Sequence, residues 1–149
     1  MITSSNIEEA KKLINKEKKP IAVQAHDEKF NRSIIEYGKF SYLIINLSKC
    51  SHDTPRQLDI GLSSISARIA AKNNISLAIN LNDIRHLKGA QQSKVLSRLA
   101  SLIKVCRDSS ASLILLNARD KYGAHALLLA LGASTQQAYR LINNSTINK

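Results

Sequence analysis

Four short apolar runs constrain this chain most: Ile21–Ala25 (IAVQA), Tyr42–Leu47 (YLIINL), Ile75–Leu81 (ISLAINL) and Ser112–Asn117 (SLILLN). Each is too short for an ordinary helix, which averages about 11 residues. The second and fourth are nearly continuous in apolar residues. That pattern suits strands buried on both faces of a parallel sheet.

The intervals between them carry helical periodicity. Ser4 or Ser5 is placed to cap a first helix reaching to about Lys19, with Glu8 completing a capping box behind Ser5 and Pro20 ending it. A second helix is expected over Asp27–Tyr37, stopping at Gly38. A third is expected over Asp59–Lys72, with Leu58, Leu62, Ile65 and Ile69 on one stripe. The longest, Gly89–Arg107, puts Val95, Leu96, Leu99, Leu102, Ile103 and Cys106 on one face and Lys94 with Arg98 on another. A fifth runs over Ala124–Leu131 to Gly132, and a sixth starts at Ser134 or Thr135 and reaches Ile142. Strands alternating with helices imply right-handed βαβ units, hence an α/β fold with a parallel sheet flanked by helices. Four strands are too few for a closed barrel of eight.

The length of 149 residues fits one domain, and a hydrophobic fraction of 44% supports a packed core. No apolar run approaches the roughly 18 residues of a membrane span. The polar start MITSSNIEEAKK lacks the apolar segment of a secretory signal. Two cysteines, Cys50 and Cys106, make neither a disulfide framework nor a four-ligand zinc site. A cytoplasmic setting with reduced thiols is expected. Against 11 Asp+Glu stand 22 Lys+Arg, a net charge of +11. The excess is spread along the chain rather than gathered in a tail. It favours a polyanionic partner, nucleic acid first and an anionic lipid surface second.

Parallel α/β sheets bind ligands at the carboxyl ends of their strands. Here those ends carry Gln24, His26 and Asp27; Asn46 and Ser48; Asn80, Asn82 and Asp83; and Asn117, Arg119 and Asp120. Amides and cations predominate. No G-x-G-x-x-G or G-x-x-x-x-G-K-[ST] loop occurs, and the four histidines form no H-x-H or H-E-x-x-H pair. His26, Asp27, His52 and Asp53 lie near successive strand ends, which leaves open a small metal-dependent phosphoesterase or nuclease. His52-Asp53 is otherwise ordinary turn chemistry. Cys50, in a polar loop, is a candidate reactive thiol, and Cys106 reads as a small core residue. The segment Asn117-Ala118-Arg119-Asp120-Lys121-Tyr122-Gly123 places two cations and an aromatic after the most apolar strand, a composition suited to phosphates and bases. The pairs Lys94/Arg98 and Arg68/Lys72 are spaced i, i+4 and project together. The densest basic run is Lys11, Lys12, Lys16, Lys18 and Lys19, offset only by Glu8, Glu9 and Glu17. A basic amphipathic helix of this kind suits RNA or a lipid surface, and its few apolar residues (Ile7, Leu13, Ile14) weaken the membrane version.

These residues resemble a known family. DIGLSSISARIAAKNNISLAINL, from Asp59 to Leu81, resembles the D-x-G-L…A-x-x-A-A-x-N…N-L core of archaeal ribonuclease P protein component three, the relative of the eukaryotic thirty-kilodalton subunit. SKVLSRLASLIK from Ser93 and SLILLNARDKYG from Ser112 look like the family's next helix and its S-G-A-R-type loop. Asn31-Arg32 and YLIINL resemble its N-R-x-A…V-D-x-L segment, and LGASTQQA its last helix. The resemblance covers about residues 21 to 142, leaving residues 1 to 20 as a helical N-terminal extension of a single domain.

The resemblance implies a partial or open TIM-barrel-like sheet, related to metal phosphoesterases of the PHP type but without their metal ligands. It implies a non-catalytic, RNA-binding subunit of ribonuclease P, the ribonucleoprotein endonuclease of tRNA processing that removes the 5′ leader from precursor tRNA. The implied partners are ribonuclease P RNA, precursor tRNA indirectly, and an RNA-recognition-motif-like protein subunit in a heterotetramer. Magnesium would be held by the RNA, with no cofactor on this chain and no membrane role. Carried over position by position, Arg119 matches the loop arginine with Lys121 just beyond it, Arg32 the N-R position, and Lys72 and Arg98 commonly basic helix positions. Arg119 and Lys121 are the expected RNA-phosphate contacts, Arg98 and Lys94 a second group, with Lys72, Arg68 and Arg32 beside them. Arg32 and Arg68 read equally well as structural ion pairs. The loop departs from the family in having Asn117 where its glycine stands, and Ala78 replaces the Glu of E-x-N-L. A general RNA-binding scaffold remains an alternative function.

Overall fold

The structure is a computed structural model, and it describes residues 1–50 and 52–143. In chain order the elements are α1 (Ile7–Lys16), β1 (Ala22–Gln24), α2 (Glu28–Tyr37), β2 (Tyr42–Ile45), α3 (Ser64–Lys72), β3 (Ser76–Asn80), α4 (Asn82–Arg85), α5 (Gly89–Ser109), β4 (Leu113–Leu116), α6 (Lys121–Ala130) and α7 (Thr135–Asn143). All four expected strands form. They make one parallel sheet in the order β1-β2-β3-β4. Ile2 extends its first edge: its N–H donates to the Ala22 carbonyl and its carbonyl accepts from the Gln24 N–H, both at 2.8 Å. The residues ahead of β1 are thus part of the fold, with Ile2, Ala10 and Ile14 in the common core.

Every crossover advances by one strand in the same direction. Connections of a single hand then lay α2, α3 and α5 on one face of the sheet. Val23, Leu43, Leu77 and Leu113 stand side by side in register, as do Ile45, Ile79 and Leu115, and all are buried under those helices. On the other face, Ala22, Gln24, Tyr42, Ile44, Ser76, Asn80 and Leu116 are half-exposed, while Ala78 and Ile114 are buried. The expectation of burial on both faces therefore fails for β2. Its side chains alternate: Leu43 and Ile45 are buried under the helices, and Tyr42 and Ile44 lie on the half-exposed face.

Several helix ends differ from the sequence reading, each for a local reason. The N-cap of α1 is Asn6, whose Oδ1 accepts from the N–H groups of Glu8 (3.0 Å) and Glu9 (3.2 Å). A capping box at Ser5 is not used, and α1 stops at Lys16, ahead of Pro20. Helix α3 starts at Ser64, behind its Ser63 cap, five residues later than expected. Asp59 instead turns the preceding loop, accepting from the Gly61 N–H at 2.7 Å. That shift rotates the buried stripe to Ser66, Ala67 and Ala70 and leaves Ile65 57% exposed. These small residues let α3 sit close between α2 and α5. The single turn α4 had no clear sequence signal. Gly38, at the end of α2, has φ 67 and supplies the left-handed turn into β2.

Candidate functional site

At the carboxyl ends of β3 and β4 the polar residues bind one another. Asn80 Oδ1 accepts from the Asn82 N–H (3.1 Å) and from Asn117 Nδ2 (2.8 Å). Arg85 donates to Asn82 Oδ1 (3.1 Å) and to the Asn117 carbonyl (3.2 Å). Asn117 has φ 59, in the left-handed region that asparagine tolerates best after glycine. The loop therefore makes its turn without a glycine. Asp120 then caps α6, accepting from the Tyr122 N–H at 3.0 Å.

This framework presents Arg119 and Lys121 to solvent with no acidic partner among the described residues. Lys121 is the first residue of α6, at the positive end of the helix dipole, where a cation is disfavoured. Tyr122 beside it is 90% exposed. Two cations and a free aromatic ring on a rigid loop form a surface suited to phosphates and bases.

The other expected contacts do not join it. Arg98 corrects the sequence reading. It is 3% exposed, and its guanidinium donates to the Leu47 carbonyl at 2.8 Å and to both Asp53 oxygens at 3.0 and 2.9 Å. It pins the loop after β2 to α5 and is not available to an external phosphate. Lys94, half-exposed, closes on the same carboxylate at 2.6 Å. Asp53 also accepts from the Asp59 N–H at 2.8 Å. The Lys94 ammonium, with that N–H and the Arg98 guanidinium, holds the Asp53 carboxyl well below the usual carboxylate range. Arg32 forms an exposed pair with Glu36 at 2.9 Å. Arg68 projects from the outer face of α3 with no ion pair among the described residues, and Lys72 lies in the last turn of α3, at the opposite end of the sheet from Arg119.

The residues of the phosphoesterase alternative line or flank an open cavity of about 730 Å³ at the ends of β1 and β2. Their two carboxylates are engaged structurally. Asp27 caps α2, accepting from the Phe30 N–H at 2.7 Å, and the His26 ring packs edge-on to Phe30, centroids 4.8 Å apart. Asp53 is held as described. Among the described residues no three His, Cys, Asp or Glu side chains gather as metal ligands. The cavity is walled by Asp27, Glu28 and Asp59 against the single lysine Lys49, a poor environment for an anion. Cys50 also lines it, and its thiol is pushed up to about 11 by burial first and then by Asp59. It stays a thiol near neutral pH, so it is not the activated nucleophile the polar loop suggested. Burial alone pushes Cys106 up to about 12.

Asn31 is the residue that the sequence reading left without a role. It is buried on α2, accepts from the His26 N–H at 2.8 Å, and donates to the carbonyls of His26 (3.2 Å) and Gly61 (2.7 Å). It ties the loop after β1 to the loop before α3. An asparagine between Phe30 and Ile34 on an apolar helix stripe was the signal.

These features define a class: a singly wound parallel α/β sheet, helices on one face, carrying a rigid basic loop at its carboxyl end. No family profile and no curated protein matches the sequence. Among solved structures, the fold matches a chain in the cryo-EM structure of archaeal ribonuclease P with mature tRNA. The TM-score is 0.71 and the identity 18%, over 95% of this chain and 62% of that chain. This chain thus spans less than two thirds of its neighbour's length. Among the described residues no helix is long and apolar enough to cross a membrane.

Proposed function

We propose that this protein is a non-catalytic, RNA-binding subunit of ribonuclease P. The observation that carries the reading is the shared fold, at a TM-score of 0.71, with a chain of a ribonuclease P assembly. The sequence resemblance over about residues 21 to 142 is likewise to a protein component of ribonuclease P. On this reading the four strands are an arc of a TIM-barrel-like wall, wound as in PHP-type phosphoesterases and left open. Arg119 and Lys121 neutralise phosphates of the catalytic RNA and stabilise its active fold. The in-line attack of a metal-activated water on the phosphodiester belongs to magnesium held by that RNA. The carboxylates here serve other purposes: Asp27 and Asp120 cap helices, and Asp53 neutralises Arg98 and Lys94. An RNA-recognition-motif-like subunit is the expected protein partner, and the cytoplasm the expected setting.

Reconstitution tests the proposal. Adding the chain to its own organism's ribonuclease P RNA and partner subunits should raise the rate of precursor-tRNA cleavage. An unchanged rate on omission overturns the reading and leaves a general RNA-binding scaffold. Cleavage by the purified chain with magnesium or manganese alone, abolished by His26→Ala, would establish the phosphoesterase alternative.

A further inference from the structure

The charge of the molecule is segregated along the strand direction. The carboxyl-end loops and first turns mix their cations with Asp27, Glu28, Asp53, Asp59, Asp83 and Asp120. At the amino-terminal end of the sheet the acids are Glu17, Glu36 and Asp108, and the last two pair with Arg32 and Arg107. Here the end of α1 and the segment leading to β1 bring Lys16, Lys18 and Lys19, and the turn between α2 and β2 brings Lys39. All four are exposed, and none has an ion-pair partner among the described residues.

A second observation shows that part of this face is built rather than merely solvated. Tyr37, the last residue of α2, donates its hydroxyl to Asn15 Oδ1 on α1 at 2.8 Å. Its fixed ring holds two ammoniums, Lys11 Nζ at 5.6 Å and Lys39 Nζ at 5.2 Å from the centroid. Lys39 reaches it from a left-handed backbone, φ 64, directly after the left-handed Gly38. A lysine in that conformation is unusual. Two like charges are therefore gathered on one aromatic platform, and among the described residues only Glu8, on Lys11, is ion-paired to either.

We infer that this face is a second phosphate-contact surface for RNA, distinct from the Arg119/Lys121 loop. One copy of the chain then holds two separate backbone segments of a folded RNA, one at each end of its sheet. The inference rests on the RNA-binding reading above and adds a site to it. The strands alone, at about 3.3 Å per residue, keep the two surfaces roughly 15 Å apart, so neighbouring phosphates cannot serve both. A lipid surface is the poorer occupant. The apolar residues of α1 (Ile7, Ala10, Leu13 and Ile14) are packed into the core, leaving no apolar face to insert.

The test measures binding of the full chain to a ribonuclease P RNA transcript across a salt series, and to vesicles of phosphatidylserine and phosphatidylcholine. Lys16→Ala/Lys18→Ala/Lys19→Ala should flatten the log–log salt dependence by about two units, at roughly 0.7 to 0.9 per lost phosphate contact, with an unchanged urea midpoint. Lys39→Ala should remove about one more. Arg119→Ala/Lys121→Ala should flatten it separately and additively. A triple-variant slope equal to wild type overturns this inference, whatever the loop variant does. Vesicle binding lost in the triple variant while the RNA slope stays fixed also overturns it, in favour of a lipid surface. A flattened slope in the triple variant beside an unchanged one in the loop variant upholds this surface and moves the other contact. Absence of RNA binding by the wild type overturns both.

Discussion

Arg98 and Arg119 were both expected to meet RNA, and the fold treats them oppositely. Arg98 lies inside, its guanidinium shared between the Leu47 carbonyl and Asp53, and Arg119 stands free on a braced loop. Substitution should separate them. Arg98→Ala removes a buried, doubly bonded cation and should lower unfolding stability by about 3 kcal/mol in urea titration, leaving the RNA salt slope as it was. Arg119→Ala should do the reverse. Lys121→Ala should weaken RNA binding and yet raise thermal stability slightly, by about 0.3 to 1 kcal/mol, because it removes a cation from a helix N-terminus. The sequence did show that position 98 is basic and on the long helix. It did not show which way the residue faces, since the deciding partner, Asp53, lies in a loop whose course no periodicity encodes. Asp53 also sets an acid limit. Its carboxyl is held below its ordinary value, so its contribution is fully present above about pH 4 and is lost as pH falls toward the depressed native value. Asp53→Asn should therefore lose most stability at neutral pH. The gap from wild type should narrow through about pH 4 to 2 in a series of urea midpoints.

At the scale of elements, the strands were the most legible part, because short apolar runs flanked by polar turns have few other solutions. Boundaries moved where a side chain outcompeted periodicity. Asn6 replaced Ser5 as a cap, and Asp59 kept the chain out of α3 until Ser63. The loop between β2 and α3 was not legible at all. Its shape depends on contacts between residues far apart in sequence, Asn31 to Gly61 and Asp53 to Arg98. Asn31→Ala leaves the Gly61 carbonyl and the His26 N–H without their partner and should cost about 2 to 4 kcal/mol. Hydrogen exchange should localise the opening to the segments around His26 and Gly61, with β3 and β4 still protected. The same loop shelters Cys50. With its thiol pushed up to about 11, alkylation followed by mass spectrometry at pH 8 should proceed far more slowly than for an ordinary cysteine.

For the whole molecule, the net charge of +11 acquires a geography. Composition predicted a polyanionic partner but not two faces: the basic run ending at Lys19 was legible in the sequence, and its meeting with Lys39 from the turn before β2 was not. Only a parallel sheet brings those places together. The strand order β1-β2-β3-β4 also bears on how the chain is made. Each strand pairs with the one synthesised just before it, and none must wait to be inserted between two earlier neighbours. Folding can therefore follow the ribosome, each βαβ unit closing on a finished edge, with short loop closures throughout. Of these four strands β4 is made last, and it carries Arg119 and Lys121 at its end. A nascent chain would thus acquire its amino-end basic face before its basic loop.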